Sequence, residues 1–205
     1  MSNGREDRGT ADWMSSYSDA VFAVIVTIMV LELRPPHSTK FSALFDLWPT
    51  AISYVVSYVF VAIIWINHHN LTRILGNPSL GLIWVNFLHL FLVSLLPFTT
   101  AWIAQTKLAS VPMMVYAGLF VCADGVYNVF ERHILLRSNI AERGRLFARR
   151  RSLLALSLFA AAALVAAFEP WIGFALICAA LVLHLKPDVG YGSLRRGRAD
   201  RSADV

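Results

Sequence analysis

The sequence predicts an all-α integral membrane fold of six transmembrane helices per subunit, N-in and C-in, and three observations carry that prediction. The chain of 205 residues is 57% hydrophobic and only 15% charged, with a mean hydropathy of +0.58. That is far more apolar surface than a soluble domain of this size can bury, so the bilayer has to be its solvent. Apolar runs long enough to span recur along the chain. Finally, Lys and Arg alternate in density from loop to loop.

The first apolar run follows an acidic and mixed segment containing Glu6, Asp7 and Asp12, and no small-residue cleavage pattern precedes Leu33-Arg34-Pro35-Pro36. It is expected to be retained, not removed as a signal peptide. Only the twelve residues Ala20 to Leu31 separate Asp19 from Glu32. At about 1.5 Å per residue they cover roughly 18 Å of a hydrocarbon core about 30 Å thick. Such a helix belongs inside an assembly, with Ser18 and Asp19 satisfied by neighbours. The second and third runs, about 47–67 and 80–104, are full spans. A fourth, about 111–130, is interrupted by Asp124. A fifth, 152–168, ends at Glu169-Pro170, and a sixth, 171–185, ends at Lys186-Pro187. Ala160 to Ala163 allow close helix packing, and Pro97 should kink the third helix and free a carbonyl for Thr99 or Thr100 to manage.

Counting Lys and Arg in alternate loops places fifteen on one side, seven of them in the 132–151 loop, against Arg34, Lys40 and Lys107 on the other. The positive-inside rule then sets both termini in the cytoplasm, which requires an even number of spans. The organisation expected is a cytoplasmic segment over 1–13, a six-helix membrane domain over 14–187 and a disordered cytoplasmic tail over 188–205. The excess of five positive charges is explained by this topology, so nucleic-acid binding is set aside. Cys122 and Cys178 both fall in apolar runs and read as reduced core residues without a disulfide or metal role.

On a helical wheel, Ala20, Val24, Thr27, Ile28 and Leu31 share one stripe of the first helix. Asp19 points about 140° away, with Ala23, Val26 and Val30, on the face expected to pack within the subunit. Several copies with the stripe inward would stack rings of Val24, Thr27 and Leu31 into an apolar constriction with one hydroxyl layer. Such constrictions gate by dewetting, and hydroxyl oxygens replace part of an ion's hydration shell. Plain apolar packing, with Thr27 bonded to its own helix backbone, accounts for the same periodicity.

Tyr17-Ser18-Asp19-Ala20-Val21-Phe22-Ala23, with an Ile/Val/Thr-rich run and Leu31-Glu32-Leu33 behind it, resembles the Phe-Ser-Asp signature of the transmembrane protein 175 family of potassium channels. Ser57-Tyr58 through Trp65 and Asn67-His68-His69 resemble that family's second helix. Asn86 and Leu95 through Thr100 resemble its third, and the resemblance reaches the Tyr127-Asn128 region before only the hydrophobic layout continues. What this implies is a potassium-selective leak channel, four subunits per pore in the prokaryotic members, seated in the cell membrane and lined by the first helices without a carbonyl filter. Carried over by the Ser-Asp pair, the constriction falls on Val24, the threonine selectivity layer on Thr27 and a second apolar layer on Leu31, with Ile28 on the same gate stripe. Ser18, Asp19, Trp65 and His68 or His69 would form the polar network holding that helix. No cofactor is implied beyond potassium ions in the pore, and the partners are a homotetramer and the lipid bilayer. Two positions depart from the pattern. Tyr17 replaces Phe, and Trp13 stands where the family has Arg, which removes a cation partner of Asp19.

Val189-Gly190-Tyr191-Gly192 is similar to a carbonyl filter, but it follows the last span with Asp188 in place of the filter Thr and no pore helix before it. His68, His69, His89, Asp124, Glu131 and His133 could supply a proton relay or a metal site. Adjacent histidines diverge by about 100° on a helix, which limits a shared ligand sphere. Two rival readings therefore stand beside the channel: a proton-coupled secondary transporter using Asp19, Asp124 and the histidines, and an intramembrane metalloenzyme using His68 and His69. The second lacks a nucleophile and base at helical spacing, and an enzyme is not expected. The arginines from Arg143 to Arg151 could meet anionic head groups.

Overall fold

The structure is a computed structural model that describes residues 3–75, 77–137 and 142–184. The Val189–Gly192 string and the tail expected over 188–205 lie outside the described residues. Among the described residues the chain is helical without strands: α1 (Asn3–Leu31), α2 (Trp48–Thr72), α3 (Leu80–Ser94), α4 (Leu96–Gln105), α5 (Ser110–Arg137), α6 (Glu142–Val165) and α7 (Pro170–His184). A short 3-10 segment, Phe41–Leu47, leads into α2. Four stretches are long and apolar enough to cross a membrane: Thr10–Leu31, Phe41–Thr72, Leu80–Gln105 and Ser110–Arg137. α7 is a shorter apolar helix, and α6 opens on a charged turn before its Ala-rich half.

The first helix corrects the expectation of a short span. It does not stop at Asp19, because Ala11 and Met14 continue the buried face of Ser18, Phe22, Ile25 and Met29 at three- and four-residue spacing. The membrane-length stretch is 22 residues, about 33 Å at 1.5 Å per residue. Asp19 therefore lies near the middle of a full span.

The third apolar run is two helices. Leu95 carries φ −81° and ψ −8° at the junction, and Pro97 occupies the first turn of α4, where a missing N–H costs nothing. The hydroxyls of Thr99 and Thr100 both donate to the Leu96 carbonyl, at 3.1 and 2.7 Å. The α4–α5 turn closes with Lys107 and Leu108 at φ 53° and 61°. The Leu108 N–H returns to the Ile103 carbonyl at 2.8 Å, and its side chain is buried.

Cross-helix pairs fix the directions. Trp65 meets Asp19 and Thr72 meets Ser15, so α1 and α2 run antiparallel. Ser57 meets Tyr116 and His68 stacks on Phe130, so α2 and α5 run parallel. Phe120 meets Phe159 and Glu131 meets Ser152, which sets α6 antiparallel to α5. Trp48 stacks on Trp171 at 5.4 Å where α2 and α7 begin.

The main core gathers Phe60, Tyr116, Phe120 and Phe159 with Ile103, Met113 and Ile177. Between α6 and α7 the backbones approach closely. A Cβ on Gly173 would stand 2.9 Å from the Ala166 Cβ and 3.0 Å from the Ala162 carbonyl oxygen, so the small residues on both helices set this spacing. Cys178 is half-buried and Cys122 is exposed. The latter corrects its expected core position: residue 122 falls on the outward side of α5, between the buried Leu119 and Phe120 and the buried Ala123 and Asp124.

Candidate functional site

α1 presents two unlike surfaces. Met14, Ser18, Phe22, Ile25 and Met29 are buried against the rest of the chain, and the opposite stripe faces outward. On that stripe Val24 is 56% exposed, Ile28 43% and Leu31 76%, with Ala20 and Thr27 exposed between them. Among the described residues the stripe is thus largely uncovered, with Ile28 bordering a groove that Pro97, Phe98 and Ala101 of α4 also line. Thr27 donates its hydroxyl to the Ala23 carbonyl at 2.9 Å, which fixes the rotamer and leaves the oxygen lone pairs free to accept a proton or meet a cation.

The Asp19 side differs from expectation. Ala23 and Val30 are exposed and only Val26 is partly buried against the core, so the packed face centres on Ser18, 100° away from Asp19. Asp19 sits on its flank with a third of its side chain exposed. Trp65 Nε1 donates to Asp19 Oδ1 at 2.8 Å, and His69 Nδ1 stands 3.6 Å from Oδ2. Trp65 and His69 are four residues apart, on one face of α2.

The second polar set is fully inside. The Asn86 amide donates to Ser18 Oγ at 3.0 Å, and Asn86 Oδ1 lies 2.7 Å from His68 Nε2, which therefore carries the proton. Ser18 in turn donates to the Met14 carbonyl at 2.8 Å. Phe130 stacks on His68 with ring centroids 5.3 Å apart, and Phe22 meets it edge-on. His89 is parallel to His68 at 6.3 Å and hydrogen-bonds the Ala123 carbonyl through Nδ1 at 3.1 Å.

The five polar residues read from the sequence thus divide into two sets. Asp19, Trp65 and His69 meet on the flank of α1, and Ser18 and His68 meet inside through Asn86. Asn86 joins Ser18 to His68, a link that the site reading from sequence missed. The available signal was a lone amide within the apolar run of α3, where a polar side chain has to find partners. The two adjacent histidines serve different sets, as their divergence on the helix requires. Among the described residues no group of three or more His, Cys, Asp or Glu side chains could hold a metal ion. Trp13 lies apart from Asp19 and stacks on Tyr17 at 5.8 Å, and Tyr17 meets Phe87 edge-on.

A separate polar cluster joins the other half of the bundle. Asp124 is 3% exposed, accepts from Asn128 at 3.1 Å and lies 3.5 Å from His184. It faces the bundle, as a carboxylate in a span must. Glu131 accepts from Ser152 at 2.9 Å. His133 is exposed, with Nδ1 3.0 Å from the Val129 carbonyl of its own helix.

Residues 14–97 match the profile of the family described as the endosomal/lysosomal potassium channel TMEM175. The match covers less than half of the chain. The α1 stripe and both polar sets on α1, α2 and α3 lie inside it; the Asp124 cluster lies outside. A potassium channel of Chryseobacterium sp. (strain P1-3) is 33% identical over 122 residues, covering 60% of this chain and 64% of that protein. A potassium channel of Chamaesiphon minutus is 31% identical over 129 residues, covering 58% and 64%. The chain thus matches just under two thirds of the length of each of these relatives. The crystal structure of a lysosomal potassium-selective channel TMEM175 homolog from Chamaesiphon minutus superposes with a TM-score of 0.76 over 87% of this chain and 98% of that one, at 24% identity. At that identity the likeness establishes the TMEM175 fold.

Proposed function

We propose that this chain is the subunit of a potassium-selective leak channel in the cell membrane of a prokaryote, with a central pore formed by the α1 helices of four copies. The observation that carries the reading is the partly exposed Asp19–His69 pair near the middle of the first span. A carboxylate and an imidazole at that depth are costly against lipid, and such groups face protein or a water-filled cavity. A lone subunit covers that flank only in part, through Trp65 and His69 of α2, and neighbouring copies would cover the remainder. The names of the relatives supply the ion.

In this assembly Val24, Ile28 and Leu31 form apolar gate layers, and Thr27 forms the layer that takes over part of the ion's hydration. Ser18, Asp19, Asn86, Trp65, His68 and His69 hold α1 in place. Six spans follow if α3 and α4 together cross once and α6 and α7 each cross. With the alternating Lys and Arg count, both termini then lie in the cytoplasm.

The test is the reversal potential of purified protein in planar bilayers, with potassium on one side and sodium on the other, for wild type and Val24→Asn. Unitary currents that favour potassium, with a conductance changed by the substitution, are the expected result. Silence in the bilayer with proton-coupled uptake into vesicles would overturn the channel in favour of a transporter.

A further inference from the structure

The hairpin of α5 and α6 carries a cleft of about 380 Å³ that the α1 site does not use. Leu136, Leu146 and Leu153 line it and are all exposed. Arg132 and Arg149 line it as well, also exposed. Neither arginine has an ion-pair partner among the described residues. The acidic group of the cleft, Glu131, is buried, and its carboxylate accepts from Ser152 at 2.9 Å. Arg137 and Arg150 are exposed at the same end.

We propose that this cleft binds one anionic glycerophospholipid, its phosphate held by Arg132 and Arg149 and an acyl chain laid along Leu136, Leu146 and Leu153. A guanidinium presents paired N–H donors that match phosphate oxygens. The two arginines stand where a membrane-length helix, Ser110–Arg137, reaches its end, the depth at which lipid head groups lie. The leucines select the source of the phosphate. A free phosphate has no use for an apolar wall, and an acidic peptide would have to cover leucines at the margin of the hydrocarbon. A zwitterionic lipid brings its own cation toward a wholly cationic rim. The assignment requires only that α5 spans a membrane, and it stands whether or not the chain conducts ions.

The experiment is native mass spectrometry of the full chain released from detergent, with equimolar phosphatidylglycerol and phosphatidylcholine, with and without excess inorganic phosphate. Wild type is expected to retain phosphatidylglycerol over phosphatidylcholine by roughly tenfold, and inorganic phosphate should not displace it. Arg132→Gln with Arg149→Gln should bring the two lipids to parity. Leu153→Trp, which fills the cleft and leaves the charges, should also abolish retention, and Arg34→Gln with Lys40→Gln at the opposite end should leave it unchanged. Equal retention of both lipids by wild type overturns the proposal without recourse to any variant. Displacement by inorganic phosphate, an undiminished preference in the double arginine variant, retention by Leu153→Trp, or loss in the Arg34/Lys40 variant would each overturn it too.

Discussion

Trp65 Nε1 donates to Asp19 Oδ1 at 2.8 Å, tying α1 to α2 close to the middle of the first span. The bond gives a carboxylate at membrane depth a fixed neutral donor, and His69 adds a second group 3.6 Å from the other oxygen. Trp13 stacks on Tyr17, and among the described residues no hydrogen bond or ion pair joins it to Asp19. The carboxylate is held from α2 instead.

Replacing Trp65 by Phe keeps most of the ring and removes the donor. The expected result is a less stable protein, because a partly exposed charged acceptor loses a charge-assisted bond of about 1.5–3 kcal/mol at most. If the pore reading holds, the gating of single channels should change while their conductance does not, since Trp65 anchors α1 without facing the stripe. Thermal unfolding in detergent and single-channel recording in bilayers separate the two effects.

Thr27→Ala deletes the one hydroxyl of the exposed stripe and, with it, a bond to the Ala23 carbonyl that leaves the buried face of α1 untouched. Assembly should be unaffected and the preference for potassium over sodium should fall, with Thr27→Ser restoring it. Reversal potentials and a sizing measurement check the pair. Unchanged selectivity in the alanine variant would remove Thr27 from the mechanism.

Periodicity made much of this legible, and its failures are informative. The α1 stripe followed from 3.6-residue spacing because a helix facing two environments must separate its residues by angle. The length of α1 did not, because Asp19 reads as the end of an apolar run until its partners on α2 are known. Ser18 and His68 could be marked as polar groups needing partners. That both find Asn86, 68 and 18 residues distant in sequence, is a consequence of packing that spacing along one helix cannot reveal. The break at Leu95 was signalled by Pro97, whereas the division of that run into two helices depended on where the flanking residues pack.

Asn86→Leu tests the buried link. The substitution is close in volume but takes a donor from Ser18 Oγ and strands His68 Nε2 at a fully buried position, where a hydrogen-bonding group left without a partner costs about 1–3 kcal/mol. Ser18 still donates to the Met14 carbonyl, so most of the loss falls on His68. A second substitution, His68→Phe, should recover part of the stability lost in Asn86→Leu, since it removes the orphaned group while keeping a ring to stack on Phe130. A double-mutant cycle by thermal unfolding measures the coupling, and strictly additive losses would show that Asn86 and His68 do not depend on each other.

Gly173→Ala probes the other half of the bundle. Its Cβ would stand 2.9 Å from the Ala166 Cβ, 3.1 Å from the Ala166 Cα and 3.0 Å from the Ala162 carbonyl oxygen. None of these is the far end of a flexible side chain, so relief requires α7 to move off α6. Overpacking of this kind costs about 1–3 kcal/mol, and a lower unfolding temperature is expected. Because the α6–α7 contact lies outside the segment 14–97 that carries the α1 stripe and both of its polar sets, permeation per channel should be unchanged in whatever fraction stays folded. Gly118→Ala is the matched control, since a Cβ there meets no heavy atom within 4 Å and alanine is the better helix former by about 1 kcal/mol. It should raise stability where Gly173→Ala lowers it, and equal effects of the two would refute close packing at Gly173 as the cause.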